Sequence, residues 1–165
     1  MDYVDYILKQ WSDERPDLDG SAMGIIGRIV RLARHFERKI QNNLVAFDLS
    51  IGEFEVLATL RRSGAPYQLS PTDLYKSVML SSGAMTNRVD RLEQAGLVYR
   101  SRDKSDRRGV LVCLTPEGLT LIDQVIAVHF ASMQQLLAEL TPVEQKLITD
   151  SLRKLLLTFE ESTCD

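Results

Sequence analysis

The 165-residue sequence predicts a mainly helical fold that carries one short β-hairpin. Three observations predict this fold class. Apolar residues recur at helical spacing over most of the chain. Two short runs with the character of strands, 97–102 and 109–114, flank a polar loop and are typical of a hairpin. Serine and threonine followed by proline or by an acidic residue mark the starts of several helices.

The N-terminal region is predicted to contain two helices. Tyr3, Ile7 and Trp11 recur every four residues and share one face of a helix over residues 2–15. A proline and a glycine in segment 16–20 end that helix. A longer helix is predicted over residues 21–47. Its apolar stripe consists of Ile25, Ile29, Leu32, Phe36, Ile40 and Leu44.

Helix-start signals place two further helices in the middle of the chain. Ser50 followed by Glu53 has the pattern of a capping box, which predicts a helix that ends near Gly64. Residues 66–69 form a short extended link. Ser70 then serves as a cap, with Pro71 at the first helical position of the next helix.

A third helix in this region is predicted to begin at residues 81–83 and to end at Gly96. Met85, Val89 and Leu92 form its buried side, which leaves Thr86, Asn87, Arg91 and the start at residues 82–83 directed outward. The hairpin follows at once, with a basic tip at residues 103–108. A helix followed by a basic hairpin is the outline of a winged helix-turn-helix, which offers a helix to the major groove of DNA and its tip to the minor groove.

The C-terminal region is predicted to form two long helices. One begins at Pro116, and Thr141 with Glu144 is a second capping box that opens the last one. The first and last helices of the chain are more apolar than a small winged domain can cover, and such a surface usually marks a subunit interface. We therefore expect a homodimer that presents two reading helices to a palindromic operator. A larger monomeric helical core is the alternative.

These predictions divide the chain into three regions. Residues 1–47 supply N-terminal helices for dimerisation and a ligand cleft, residues 48–114 form the winged helix-turn-helix, and residues 115–165 supply C-terminal dimerisation helices.

The charge distribution favours nucleic acid although the net charge is −3. Residues 81–108 contain seven basic and four acidic side chains, whereas residues 115–165 contain three basic and eight acidic ones. Binding to phosphates follows the local field rather than the total. For the charge count alone, a solvated surface with chance asymmetry is an equal alternative.

Other classes of protein are disfavoured. The sequence contains no nucleophile elbow, phosphate loop, dinucleotide fingerprint or zinc-protease motif, so we expect no enzyme. Cys113 and Cys164 have no metal or redox spacing, His35 and His129 have no metal-ligand partners, and no cofactor is expected. The N-terminus lacks a secretory pattern and no apolar run can cross a bilayer, which predicts a cytoplasmic protein without a membrane partner.

The residues of the hairpin region carry a family resemblance. Segments 89–93, 96–98 and 106–118, with the run Asp-x-Arg-Gly and then Leu-Thr-x-x-Gly, resemble the MarR family of winged helix-turn-helix transcription regulators. In that family the terminal helices make the dimer, and an arginine of the wing enters the minor groove. The resemblance implies that Arg108, with Arg107 beside it, makes the wing contact. It also implies that Asp106 supports the wing by pairing with an arginine.

Polar residues of the reading helix are the other candidates for DNA contact. The amide of Asn87 can hydrogen-bond to adenine, and the guanidinium of Arg88 or Arg91 can hydrogen-bond to guanine or phosphate. Phosphate or base edges are the expected partners of Ser81, Ser82 and Thr86. For any single one of these residues, simple solvent exposure is a serious alternative, but it does not account for the whole set. A winged helix that serves only as a protein-interaction module is disfavoured by the basic tip.

The N-terminal part resembles the urate-responsive HucR/PecS-type branch of the family. That resemblance implies a ligand pocket formed by Trp11, Glu55, Arg62, Arg88 and Arg100. Glu55 stands where that branch has an aspartate. It also implies a repressor that is released by a small anionic aromatic or purine ligand such as urate or xanthine. A ligand-independent or activating regulator is the alternative. Trp11 is equally suited to anchoring its helix in the core, and Glu55 with Arg62 to forming a solvated pair.

Overall fold

The computed structural model describes residues 1–78, 85–103 and 109–160. The elements follow one another along the chain as α1 (Tyr3–Glu14), α2 (Ser21–Val45), α3 (Ile51–Arg62), β1 (Gln68–Leu69), α4 (Pro71–Ser77), α5 (Met85–Gln94), β2 (Val98–Arg102), β3 (Val110–Leu114), α6 (Pro116–Leu136) and α7 (Pro142–Glu160). The predicted fold class, mainly helical with a small hairpin, is confirmed.

The predicted helix-start signals are present as hydrogen bonds. The backbone N–H of Ser50 donates to Glu53 Oε2 at 2.8 Å, and the backbone N–H of Glu53 donates back to Ser50 Oγ at 3.3 Å. Thr141 and Glu144 repeat this reciprocal pair at 2.8 and 3.4 Å. Ser70 caps α4, with Pro71 at the first helical position. These bonds satisfy backbone donors that a helix leaves without partners at its start, and they fix where each helix begins.

The hairpin strands form an antiparallel sheet in the order β1-β3-β2. Val98 lies opposite Leu114, and Arg102 lies opposite Val110. The extended link predicted at residues 66–69 contributes β1, in which Gln68 pairs with Cys113. Val112, Cys113 and Leu114 of β3 are all buried.

The chain divides into two compact units, Met1–Val125 and Ile126–Asp165. Helix α3 is central to the first, since Val56, Leu57 and Leu60 are completely buried. The apolar residues Leu74 of α4, Leu92 of α5 and Ile122 of α6 are buried in the same unit. In the second unit, α7 buries none of its residues. The predicted division into three functional regions remains a prediction.

The Leu-Thr-x-x-Gly run joins the hairpin to the start of α6. The backbone N–H of Thr115 donates to the Leu97 carbonyl at 3.1 Å, and its hydroxyl donates to the Gly96 carbonyl at 2.8 Å. The backbone N–H of Gly118 donates to that hydroxyl at 2.9 Å. Any Cβ at Gly118 would lie 2.0 Å from the Leu97 carbonyl oxygen, so only glycine fits there.

Arg28 of α2 holds α1 in place. Its Nε donates to Asp2 Oδ2 at 2.8 Å, and its Nη2 donates to Asp5 Oδ1 at 2.5 Å. Both carboxylates have lowered pKa values, mainly because each accepts a backbone N–H of the other residue and secondarily because of Arg28. The guanidinium of Arg31 lies over the Tyr3 ring, 4.6 Å from its centroid, and adds a cation–π contact between α2 and α1.

Acid is therefore expected to loosen α1. A carboxylate whose folded pKa is lowered contributes stability above its unfolded pKa and loses that contribution as the pH falls through the folded value, here below about pH 4. Trp11 is the single tryptophan and lies in α1, so its fluorescence reports this step. We expect Arg28→Ala to shift the change to higher pH. Lys9→Ala, which removes an ion pair within α1, is the control. Identical acid transitions in all three proteins would contradict the prediction.

Candidate nucleic-acid interface

Helix α5 exposes the polar side chains that the sequence assigns to DNA. Val89 and Leu92 are buried at 4% and 2% exposure, which fixes the inner face of the helix. Thr86, Asn87 and Arg91 are exposed on the remaining surface. Two further candidates, Ser81 and Ser82, lie outside the described residues. An amide, a hydroxyl and a guanidinium therefore project together from α5, as base and phosphate contacts require.

Arg100 of β2 ties the wing to α5. Its Nη2 donates to Asp90 Oδ1 at 2.5 Å, its Nη1 donates to Glu93 Oε2, and its backbone N–H donates to Glu93 Oε1 at 3.0 Å. Pairing with Asp90, assisted by Glu93, raises the pKa of Arg100. We call these three residues the Arg100 clasp. It joins α5 to the wing, and the single positive charge of Arg100 offsets part of the negative charge of the two carboxylates.

The wing strands carry further exposed residues. Tyr99 is 48% exposed, and Arg102 is exposed near the end of β2. Arg107 and Arg108, the predicted minor-groove contacts, and Asp106, their predicted support, lie outside the described residues. Tyr99 was absent from the sequence-based candidates because an aromatic residue in a strand gives no separate signal for a surface position.

Arg88 points toward α3 rather than outward. A Cβ placed on Gly52 of α3 would lie 2.3 Å from Arg88 Nε and 2.6 Å from its Cζ, so the guanidinium lies directly on the Gly52 backbone. Its Nη1 is buried and has no hydrogen-bond partner within the described part of the chain. The sequence spacing indicates this orientation, because Arg88 is three residues after Met85 and four before Leu92 and so shares their inner face.

The other predicted ligand residues occupy different places. Glu55 is half-buried on α3, one turn after Gly52, and so shares the face on which Arg88 lies. Arg62 is exposed, and its Nη2 donates to the carbonyl of Ser77 at the end of α4. Arg100 belongs to the clasp described above.

Trp11 is 49% exposed and lines a surface depression of about 470 Å³ between α1 and α2. Its lining consists of Leu8, Trp11, Ser12, Leu18, Asp19, Gly20, Ser21 and Met23. Glu55, Arg62, Arg88 and Arg100 are not among them. The structure thus brings Arg88 to the α3 face that carries Glu55, and it places Trp11, Arg62 and Arg100 elsewhere. The five-residue pocket remains a prediction.

Metal sites and membrane spans are both missing from the described segments. They contain no cluster of histidine, cysteine, aspartate or glutamate side chains that has the composition to hold a metal ion. None of the described helices has both the length and the apolar character needed to cross a bilayer.

Comparison with known proteins gives a consistent result. Residues 49–110, which span α3 to the start of β3, match the model of the MarR family. The chain is 39% identical to the HTH-type transcriptional regulator PecS of Dickeya dadantii over 142 residues, 86% of each protein. Among solved structures, a cysteine-to-serine mutant of MarR from E. coli in complex with operator DNA is 28% identical. It has a TM-score of 0.69 over 88% of this chain and 97% of that one.

A third relative is BpsR of Bordetella bronchiseptica, whose structure concerns the regulation of its DNA binding by 6-hydroxynicotinic acid. It is 29% identical, with a TM-score of 0.68 over 79% of this chain and 91% of that one. These relatives are regulators rather than enzymes, in agreement with the sequence-based expectation. The exposed helix α5, the adjoining wing and the PecS match over most of both chains lead to one conclusion: the chain belongs to the MarR family of winged helix-turn-helix, DNA-binding transcription regulators.

Proposed function

We propose that the protein is a homodimeric repressor that binds a palindromic operator and is released by a small anionic aromatic or purine ligand such as urate or xanthine. The observation that carries the DNA-binding part is the exposed set Thr86, Asn87 and Arg91 on α5, held beside the wing by Arg100. We assign base contacts to Asn87 and a base or phosphate contact to Arg91. The wing contacts are assigned to Arg107 and Arg108, and helix-start contacts to Ser81 and Ser82.

The exposed apolar surface of α7 supports the homodimer. Val143, Leu147 and Phe159 are 69%, 62% and 66% exposed, and α7 buries no residue within one chain. A helix of this length with so much exposed apolar surface normally packs against a partner. A second copy is the partner we assign, because a two-fold dimer also presents two α5 helices to two half-sites about one turn of DNA apart.

Nη1 of Arg88, which is buried and has no hydrogen-bond partner among residues 1–78, 85–103 and 109–160, supports a small anionic ligand. A buried guanidinium nitrogen without a hydrogen bond is unfavourable. Gly52 lies in the first turn of α3, where the helix dipole is positive, so the local field adds to this cost. An anion bound beside Arg88 would accept a hydrogen bond from Nη1 and interact favourably with the start of α3. It would also be repelled by Glu55 and would shift α5.

The chemistry of one relative fits this class of ligand. DNA binding by BpsR is regulated by 6-hydroxynicotinic acid, a planar aromatic acid. Urate is likewise planar and anionic near neutral pH, and xanthine is a planar purine of similar shape.

A gel-shift titration tests the proposal. We expect the protein to bind DNA from upstream of its own gene in the absence of ligand, and we expect urate or xanthine to release it. At protein concentrations that saturate the DNA without ligand, Arg88→Ala should remain bound at ligand concentrations that release the wild type. Arg15→Ala, which removes an exposed pair with Asp17, should behave as wild type. Binding that ignores urate, xanthine and 6-hydroxynicotinic acid alike would favour a ligand-independent regulator. Failure to bind duplex DNA would favour the alternative in which the winged helix serves only as a protein-interaction module.

A further inference from the structure

We propose that Gly52 is a positioning residue for DNA recognition. Because it lacks a side chain, Gly52 forms a slot on α3 that holds the guanidinium of Arg88 and thereby sets the spacing and angle between α3 and α5. The inference rests on the proposed function of α5 as the DNA-reading helix, and it assigns a role to a residue that itself lies outside the interface.

The geometry of the slot is the first support. Nε, Cζ and Cδ of Arg88 would lie 2.3, 2.6 and 2.8 Å from a Cβ on Gly52, all inside the closest approach of real side chains. Any other residue at position 52 therefore has to displace Arg88. Gly52 itself is buried, so the guanidinium covers this part of the α3 backbone.

The cost of placing a guanidinium there is the second support. Nη1 of Arg88 is buried and has no hydrogen-bond partner among the described residues. An arginine that made no structural contribution would adopt one of its many solvent-exposed rotamers, because hydration would satisfy all five N–H groups. Its placement inside the α3–α5 contact indicates that packing of its stem and guanidinium defines that contact.

The two glycines of α2 are not crowded in this way. In α2, a Cβ on Gly24 or Gly27 would meet its nearest neighbour at 3.5 or 3.4 Å, an ordinary van der Waals distance. Gly27→Ala is therefore a matched control. It adds one methyl group inside a helix and raises helix propensity in the same way as Gly52→Ala, but it displaces nothing.

The consequence for DNA binding follows from the position of Arg88 on α5. Asn87 and Arg91 are one and three residues away on the same helix. The atoms that a Cβ at position 52 would meet belong to the far end of the flexible Arg88 side chain, so an alanine displaces the guanidinium rather than the backbone. The contact that positions α5 on α3 is then lost, and the exposed side chains lose their register with the base edges. Contacts to bases depend on such register, and one good contact corresponds to about a tenfold or larger change in affinity.

A double-mutant cycle tests the proposal with the full-length protein on its upstream DNA. We expect Gly52→Ala and Arg88→Ala each to lower specific affinity about tenfold, and the double variant to be no weaker than either alone. Gly27→Ala should bind as wild type. The dependence of affinity on salt should be unchanged in Arg88→Ala, since a positioning residue contacts no phosphate, whereas loss of a phosphate contact lowers the slope by about one.

Three results would overturn the proposal. They are an unchanged affinity of Gly52→Ala, an equal loss from Gly52→Ala in the wild-type and Arg88→Ala backgrounds, or a lower salt slope in Arg88→Ala. If Gly52→Ala does not fold, the salt slope of Arg88→Ala decides alone. A variant in which Thr86, Asn87 and Arg91 are all replaced by alanine tests the proposed function separately. If it binds DNA as tightly as the wild type at every salt concentration, then α5 is not the reading helix.

Discussion

A Gly118→Ala variant is expected to lose about 3 kcal/mol or more of its free energy of unfolding. The added Cβ would lie 2.0 Å from the Leu97 carbonyl oxygen and 2.9 Å from the carbonyl carbon. Both are backbone atoms that have no rotamer to adopt. The same carbonyl oxygen accepts the Thr115 N–H at 3.1 Å, so relief of the clash would break the junction between the wing and α6.

Urea denaturation measures this effect as a fall in the midpoint at an unchanged slope. Gly27→Ala is again the control, with an expected change within about 1 kcal/mol because a Cβ has ordinary space there. A Gly118→Ala midpoint equal to that of the control would show that α6 does not approach the wing as closely as described.

The largest effect on DNA binding from a single residue of the described wing is expected for Arg100→Ala. The substitution removes both side-chain bonds of the Arg100 clasp and leaves Asp90 and Glu93 without their cation, on the helix that is proposed to read DNA. Two unpaired carboxylates at that place act against phosphate binding, and α5 is no longer fixed to the wing. We expect operator affinity to fall about 10- to 100-fold at moderate salt. Stability should change little, because ion pairs exposed to this extent contribute about 1 kcal/mol or less.

Rescue distinguishes electrostatics from loss of the fold. Adding Asp90→Asn and Glu93→Gln to Arg100→Ala removes the uncompensated charges, so part of the lost affinity should return, and it should return most at low salt. The matched control is Arg61→Ala, which breaks an interhelical ion pair with Asp123 remote from α5 in sequence. If Arg100→Ala binds the operator as wild type does, the clasp does not position the reading helix.

Local signals made the fold predictable. Ser50 with Glu53, Ser70 with Pro71, and Thr141 with Glu144 open α3, α4 and α7 where the sequence indicates, because each cap depends on residues within one turn. The hairpin was predicted because its strands are neighbours in sequence. The strand β1 was predicted only as an extended link, since its pairing with Cys113 joins residues more than forty positions apart.

The contacts at the site could not be predicted from the sequence, because they join residues on different elements. Arg100 has no local signal for Asp90 and Glu93, because only the turn at Gly96 brings strand and helix together. The predicted pocket grouped Arg100 with Trp11 by resemblance, whereas the structure places Arg100 in the clasp and Trp11 between α1 and α2. The contact of Arg88 with Gly52 depends on helix packing, and a glycine gives no indication of what lies against it.

We propose to measure the binding of upstream DNA by the wild type and by Arg91→Ala between about 50 and 200 mM salt, because α5 and the wing are proposed to form the DNA-reading surface. With this reading surface, the wild type should prefer its upstream DNA to a scrambled duplex and lose affinity steeply with salt. Arg91→Ala should lose that preference, or bind both duplexes more weakly with a slope lower by about one. Equal binding of both duplexes by the wild type, with no effect of Arg91→Ala at any salt concentration, would contradict this role of α5 and the wing.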